Sequence, residues 1–172
     1  MERTFEVTED LLASKAQRLA NFIIDYIIQI FIGMTFGIVF GLVCAYTDNY
    51  DLLYSFENSG KLTDYALGFS ILFVYYTTTA LLFKRSIGKF ITKTIVVLED
   101  GSIPDNRTFL RRTFCRMIPF EQFSFLGGTG RGWHDSISNT YVVRKEDFEK
   151  AKELFYSLEE IGKTEESAFE TL

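Results

Sequence analysis

Two stretches of this sequence lack charge altogether. From Tyr26 to Tyr46 there are 21 residues without one Asp, Glu, Lys or Arg, and from Tyr65 to Phe83 there are 19 more. About 20 residues of helix cross the hydrocarbon of a bilayer, at roughly 1.5 Å of rise each. Two such runs are hard to place inside a soluble chain of 172 residues, so they read as membrane spans at about 19–46 and 65–83. Histidine is nearly absent too. His134 stands alone, and without Cys or His neighbours it predicts no metal centre. The two cysteines, Cys44 and Cys115, read as a membrane-embedded small residue and a helix residue rather than a disulfide or a lipid-attachment site. No basic leader precedes the first apolar run. Residues 1–18 carry Glu2, Glu6, Glu9 and Asp10 against Arg3, Lys15 and Arg18, so a cleaved signal peptide is not expected. The Gly-rich GGTGRG lacks the Lys-Ser/Thr end of a phosphate loop, and no Ser-His-Asp set has a recognisable nucleophile. Neither a cofactor nor an enzymatic activity is expected. With 18 basic against 23 acidic residues, nucleic acid is not an expected partner either.

What charge there is has a pattern. Residues 47–64 hold four acids and one Lys, whereas 84–116 hold eight Lys or Arg against Glu99, Asp100 and Asp105. Positive residues near span ends stay on the cytoplasmic side. The loop between the spans is therefore expected outside and both termini inside, with Lys84 and Arg85 as the strongest anchors.

After the second span, TIVVL (94–98) is short and β-branched and runs into the turn signal EDGS; TYVV (140–143) is a second segment of the same type. The two are expected to pair. Between them NRTFLRRTFCRMIP predicts a helix capped by Asp105 or Asn106 and stopped at Pro119. Phe109, Leu110, Phe114, Met117 and Ile118 fall on one side, and Arg107, Arg111, Arg112 and Arg116 cover most of the other. Such a helix suits the membrane interface with its arginines on anionic headgroups, or equally a solvated face docked on the protein. FEQFSFLGG (120–128) reads as a re-entrant or interfacial segment, with a short third span within 113–128 as the alternative. In the tail, Phe148, Ala151, Leu154, Phe155, Leu158 and Ile161 recur at helical spacing; Gly162 is expected to end the helix and the last ten residues to be disordered. The fold class expected is an all-α membrane protein. It has two transmembrane helices, cytoplasmic amphipathic helices and a small two-stranded β element, divided into segments 1–17, 18–145 and 146–172.

The first span carries a polar stripe. Arg18, Asn21, Asp25 and Gln29 are spaced 3, 4 and 4, nearly one face of an α-helix, and the four-residue step continues as Gly33, Gly37 and Gly41. Small residues let another helix approach, and polar ones supply hydrogen bonds across the contact. This face is expected against protein, either the second span or another copy of the chain. An aspartate at the centre of a span costs roughly 2.5–3.5 kcal/mol to insert, so Asp25 needs partners. In an antiparallel pair its level is met by the hydroxyls around Tyr76 to Thr79. The stripe reads as an ion or proton site, or as a polar latch fixing helix pairing. Asp135, in GWHDSISNT, reads as a turn cap or a partner of Arg116, Arg131 or Arg18, and less readily as a ligand site. Trp133 suits an interfacial anchor.

Arg18 with Asp25, then SIGKFITKTIVVLEDGSIPD, LRRTFCRMIPF and GWHDSISNTYVV, together resemble the RDD family of bacterial membrane proteins. That family is named for one Arg and two Asp residues, and the resemblance carries them to Arg18, Asp25 and Asp135. It covers roughly residues 13–145, with Ser86 where a Thr is usual, a weakly developed third span and the acidic tail outside the pattern. It implies a multi-pass protein of the bacterial inner membrane with two or three spans, and a transport role. Two functions follow as expectations. One is transport of an ion or small solute, cations or protons first, through a homo-oligomer, with Arg18, Asn21, Asp25, Gln29 and Asp135 as the site. The other is a non-transporting scaffold or accessory subunit that binds proteins and anionic membrane lipid.

Overall fold

The computed structural model describes residues 4–127 and 131–170, with side chains throughout except at 122, 125, 126 and 162–170. Ser14 starts the first helix, α1 (Lys15–Tyr46), by a reciprocal cap: its hydroxyl accepts from the Gln17 amide, while the Gln17 side chain accepts from the Ser14 amide. Thirty-two residues make α1 about 48 Å long, well beyond the ~30 Å of hydrocarbon in a bilayer. The surplus lets the charged first turns lie outside the apolar stretch. A short helix α2 (Tyr50–Glu57), capped by Asn49, leads to α3 (Lys61–Phe83), which stops where Lys84 turns left-handed at φ 58°. Both long helices are apolar enough to cross a membrane, and only 6 % and 22 % of their most apolar windows are buried. Phe31, Ile38, Leu42 and Leu82 stand exposed along them. A core helix of a soluble protein would be covered by its own chain; here the cover has to come from lipid or another protein.

The remaining elements form a layer at the end of the helix pair where α1 begins and α3 ends. They are α4 (Ile87–Ile91), β1 (Thr94–Leu98), α5 (Asn106–Cys115), a 3-10 turn (Glu121–Leu126), α6 (Trp133–Ile137), β2 (Thr140–Arg144) and α7 (Lys145–Glu170). The two expected strands pair antiparallel, with Val96 opposite Val142. Strand side chains alternate between faces, and the two faces here do different work. On one, Val97 and Val143 pack with Phe5, Leu11 and Phe148, so the N-terminal segment and α7 share a core; the Phe5 and Phe148 rings meet edge-on at 5.6 Å. On the other, Val96 and Val142 meet Ala13 and Phe109, while Thr94 and Thr140 are wholly buried beside charged side chains. The Ala13 amide donates to the Val142 carbonyl at 2.8 Å, which ties the start of α1 to the sheet.

Three expectations need correcting. No third span forms among the described residues: the chain leaves α5 at Cys115 and makes only the 3-10 turn, because Glu121 is drawn inside and fully buried. Gly128, at the end of that stretch, lies outside the described residues. Gly162 does not end the tail helix, which runs on to Glu170; a lone glycine weakens a helix without breaking it. Residues 171 and 172 of the tail expected to be disordered lie outside the described residues. The apolar stripe of α7 is also only partly used: Phe148, Ala151 and Phe155 pack on the sheet, whereas Leu154, Leu158 and Ile161 are exposed. Finally, α5 begins as expected, Asp105 accepting from the Thr108 amide at 2.8 Å, but its arginines do not all face outward. Arg107 and Arg111 are exposed, whereas Arg112 is buried and Arg116 half-buried, turned into the protein rather than toward headgroups.

Candidate functional site

At the foot of the two long helices the layer closes over a buried cluster of charge. Asp25, 1 % exposed, faces it from α1. One carboxylate oxygen, Oδ1, accepts from the Tyr75 hydroxyl of α3 and from the Gly88 amide of α4, both at 2.7 Å. Gly88 is what lets α4 come this close. A Cβ there would sit 2.5 Å from the Asn21 carbonyl oxygen and 2.9 Å from Asp25 Oδ1. One turn earlier on α1, Asn21 donates to Thr94 Oγ1 of β1 at 3.1 Å and accepts from the Thr92 hydroxyl. The polar face of α1 therefore rests on protein, as its spacing predicts, meeting the second span at Tyr75 and, beyond that expectation, α4 and β1.

Arg18 does not pair with Asp25. It forms a buried ion pair with Asp135 of α6, 117 positions away, and Arg112 of α5 takes the other carboxylate oxygen at 2.6 Å. Arg112 also donates to the Thr140 hydroxyl on β2. Asp135, fully buried, thus binds α1, α5 and the sheet edge together, and it caps its own helix by accepting from the Gly132 amide at 3.3 Å. Arg116 lies over the Tyr76 ring, 4.3 Å from its centre, and brings a terminal nitrogen to 3.1 Å from His134 Nε2. A guanidinium can only donate, so Nε2 accepts and the imidazole proton sits on Nδ1, facing Glu121.

Burial and neighbouring charge set the protonation states outside the spans. Burial, with the Arg116 charge beside it, pushes Lys89 of α4 down to about 7 against the pull of Asp25. Burial and Arg116 likewise push His134 down to about 4, so it is neutral at physiological pH. Burial would raise Asp135, but positive charge on His134, Arg112 and Arg18 holds it well below the usual carboxylate range; near neutrality the two guanidiniums supply that effect. Glu121 behaves in the same way, with burial overcome by His134 and Arg116. The cluster sets Arg18, Lys89, Arg112 and Arg116 against Asp25, Glu121 and Asp135, and the charge on Lys89 is lost as pH rises through about 7.

Of the residues singled out in the sequence, Arg18, Asn21, Asp25 and Asp135 meet in this cluster, and Gln29 lies one turn further along α1 on a groove shared with Tyr76 and Arg116. Gly33 lies 3.4 Å, measured from an added Cβ, from Ile71 of α3, while Gly37 and Gly41 face open space. Of the arginines assigned to lipid, Arg112 and Arg116 belong to the cluster. The hydroxyl that meets Asp25 is that of Tyr75, one residue before the expected region. Gly88, Lys89, Glu121 and the His134 ring were not singled out. Lys89 and Glu121 left a trace, as charges set within apolar surroundings.

Two outcomes are expected. Gly88→Ala should force α4 off α1 and lower stability by roughly 1–3 kcal/mol, the usual cost of overpacking; an unchanged melting midpoint in detergent would contradict the close approach. For His134 the folded pKa is depressed, so the unfolded chain binds the proton first as pH falls from about 6.5 to about 4. Stability should fall across that window in the wild type and much less in His134→Gln, read by melting against pH; parallel curves would refute a neutral buried His134.

The amino-acid sequence matches the RDD family over residues 12–139. No curated protein and no solved structure gives a match. The matched region runs from the last turn before α1 to the residue before β2, and it contains Arg18, Asp25 and Asp135. With well over half of its length matched, the chain belongs to the RDD family.

Proposed function

We propose that this RDD protein moves an ion or a small solute across the membrane, cations or protons foremost, with the buried cluster as its polar site. One observation carries this reading. A groove of about 550 Å³ leads from Tyr76 and Arg116 at the cluster, past Gln29, to Asp64 and Tyr65 near the start of α3. From Asp64 to Tyr76 is 12 residues, about 18 Å of helix at 1.5 Å each, more than half of a bilayer's hydrocarbon. The groove has polar groups at both ends and Gly68, Phe69 and Leu72 between them. It is open along its side, and two helices do not enclose a path, so a second copy would have to close it. Gly37 and Gly41, facing open space on α1, offer the small-residue surface on which another helix packs closely. Both termini lie on the cytoplasmic side in this reading, which puts the cluster at the inner mouth of the path.

Asp25 is the group to test. The hydrogen bonds from Tyr75 and Gly88 both fall on Oδ1, so the carboxamide oxygen of Asn can accept both after the loss of charge. Purified protein in vesicles with a pH-sensitive dye inside should show cation-dependent proton movement. Asp25→Asn should abolish it while leaving the size-exclusion profile unchanged. Full flux in Asp25→Asn contradicts the assigned role. A wild-type protein that moves none of the common cations favours the accessory-subunit reading instead, in which the same open glycine face binds a partner.

A further inference from the structure

At the centre of the cluster is a cavity of about 30 Å³, with Arg18, Asn21, Asp25, Lys89, Arg116 and His134 among its lining. Of the charged side chains around it, three are cationic and one is a carboxylate, whose Oδ1 is already engaged by Tyr75 and Gly88. Arg18 gives one terminal nitrogen to Asp135. Its Nε and its other terminal nitrogen have no hydrogen-bond partner among the described residues, although the side chain is only 5 % exposed. Lys89 Nζ, also buried, makes one long hydrogen bond among the described residues, 3.5 Å to Ser86 Oγ. Donors buried without acceptors are costly, and so is an excess of one sign of charge. Water would satisfy the donors but, while Lys89 is protonated, would leave the excess charge in place. An anion answers both.

We propose that this cavity binds a single halide-sized monoanion, held by the Nε and unpaired terminal nitrogen of Arg18 and by the ammonium of Lys89. Size selects the class. A water needs about 10–15 Å³ of such space, so the cavity takes two or three particles of that size, fewer than the five heavy atoms of a tetrahedral oxyanion. Binding also follows pH. Lys89 is faced by Arg18 and Asp25 from α1, Tyr76 from α3, Arg85 ahead of α4, Arg112 and Arg116 from α5, and His134 and Asp135 from α6. Among these it is Lys89 that changes charge near neutrality, cationic below about 7 and neutral above. The anion is therefore held more tightly at pH 6 than at pH 8.5. The site does not require the protein to be a transporter, and its test is a binding test.

The detergent-solubilised full chain is exchanged into sodium gluconate and titrated with sodium chloride at constant ionic strength, with thermal melting as one readout and the calorimetric heat of sodium bromide as the other. Saturable, halide-specific stabilisation is expected, stronger at pH 6 than at pH 8.5. Lys89→Met should weaken it by more than roughly tenfold, the scale for truncating one member of a buried charge pair. Lys89→Arg, which keeps the charge at all pH values, should retain binding and lose the pH dependence. Equal melting in chloride and gluconate with no heat from bromide overturns the proposal and leaves water as the occupant. Undiminished halide binding in Lys89→Met overturns the assignment to this cavity. Loss of vesicle flux with halide binding intact would bear on the transport reading alone.

Discussion

Asp135 carries a full charge with none of its surface in contact with solvent, and two guanidiniums from different helices make that tolerable. The attraction at such short range is large where water is absent, but so is the cost of stripping water from three ions. The arrangement holds only because the remaining groups are answered as well. Arg112 has the Thr140 hydroxyl, Asp135 has the Gly132 amide, and the whole is walled by Phe109 and the valines of the sheet. Removing either arginine would leave a buried charge short of a partner, which is far worse than a lost surface ion pair. Such a contact defines a geometry: it dictates where α5 and α6 lie relative to the foot of α1.

From that anchor the rest of the layer can be followed. Once the foot of α1 is placed, Asn21 reaches Thr94 of β1 and Asp25 reaches Gly88 of α4, so the helix, the short α4 and the sheet are locked in order along one face. The strands gain on both sides. One face rests on the charged cluster through Thr94 and Thr140, the other on Phe5, Phe148 and Leu11. A lone two-stranded hairpin is marginal in water, and this one is stabilised by what packs on each face. The same logic explains an acid on an otherwise apolar helix. Ile23 and Tyr26 beside Asp25 are exposed, while Asp25 itself turns inward to hydrogen-bond donors.

The two long helices were legible because charge is missing from them for about as many residues as a bilayer is thick, and the strands because TIVVL and TYVV combine β-branching with adjacent turn signals. The stripe Arg18, Asn21, Asp25 was legible for a related reason, since polar residues repeating on one face of an apolar helix seek protein. Its partners were not. The Arg18–Asp135 contact spans 117 positions, and local pattern carries nothing over that distance. Arg112 shows the limit from the other side. Helical periodicity sorts arginine to the water face, and only a buried carboxylate on another element turns it inward. The burial of Glu121 was not legible for the same reason, because its imidazole partner lies thirteen residues on. Gly162 failed as a stop signal, because glycine permits a helix end without requiring one.

Arg18, Asp25 and Asp135, all within the matched region, have a common physical meaning in this chain. Arg18 and Asp135 meet directly, and Asp25 clamps the glycine that brings α4 against the same helix, so all three serve one junction between the apolar pair and the layer beneath it. Whether that junction is a single energetic unit is open to direct measurement by a double-mutant cycle on Arg18→Gln and Asp135→Asn, with unfolding followed in detergent. If the two side chains stabilise the fold through each other, the double variant loses less than the two single variants together, with a coupling on the order of 1–3 kcal/mol. Strictly additive losses would mean that the pair does not hold the layer to α1, and that the order of the fold comes from some other contact.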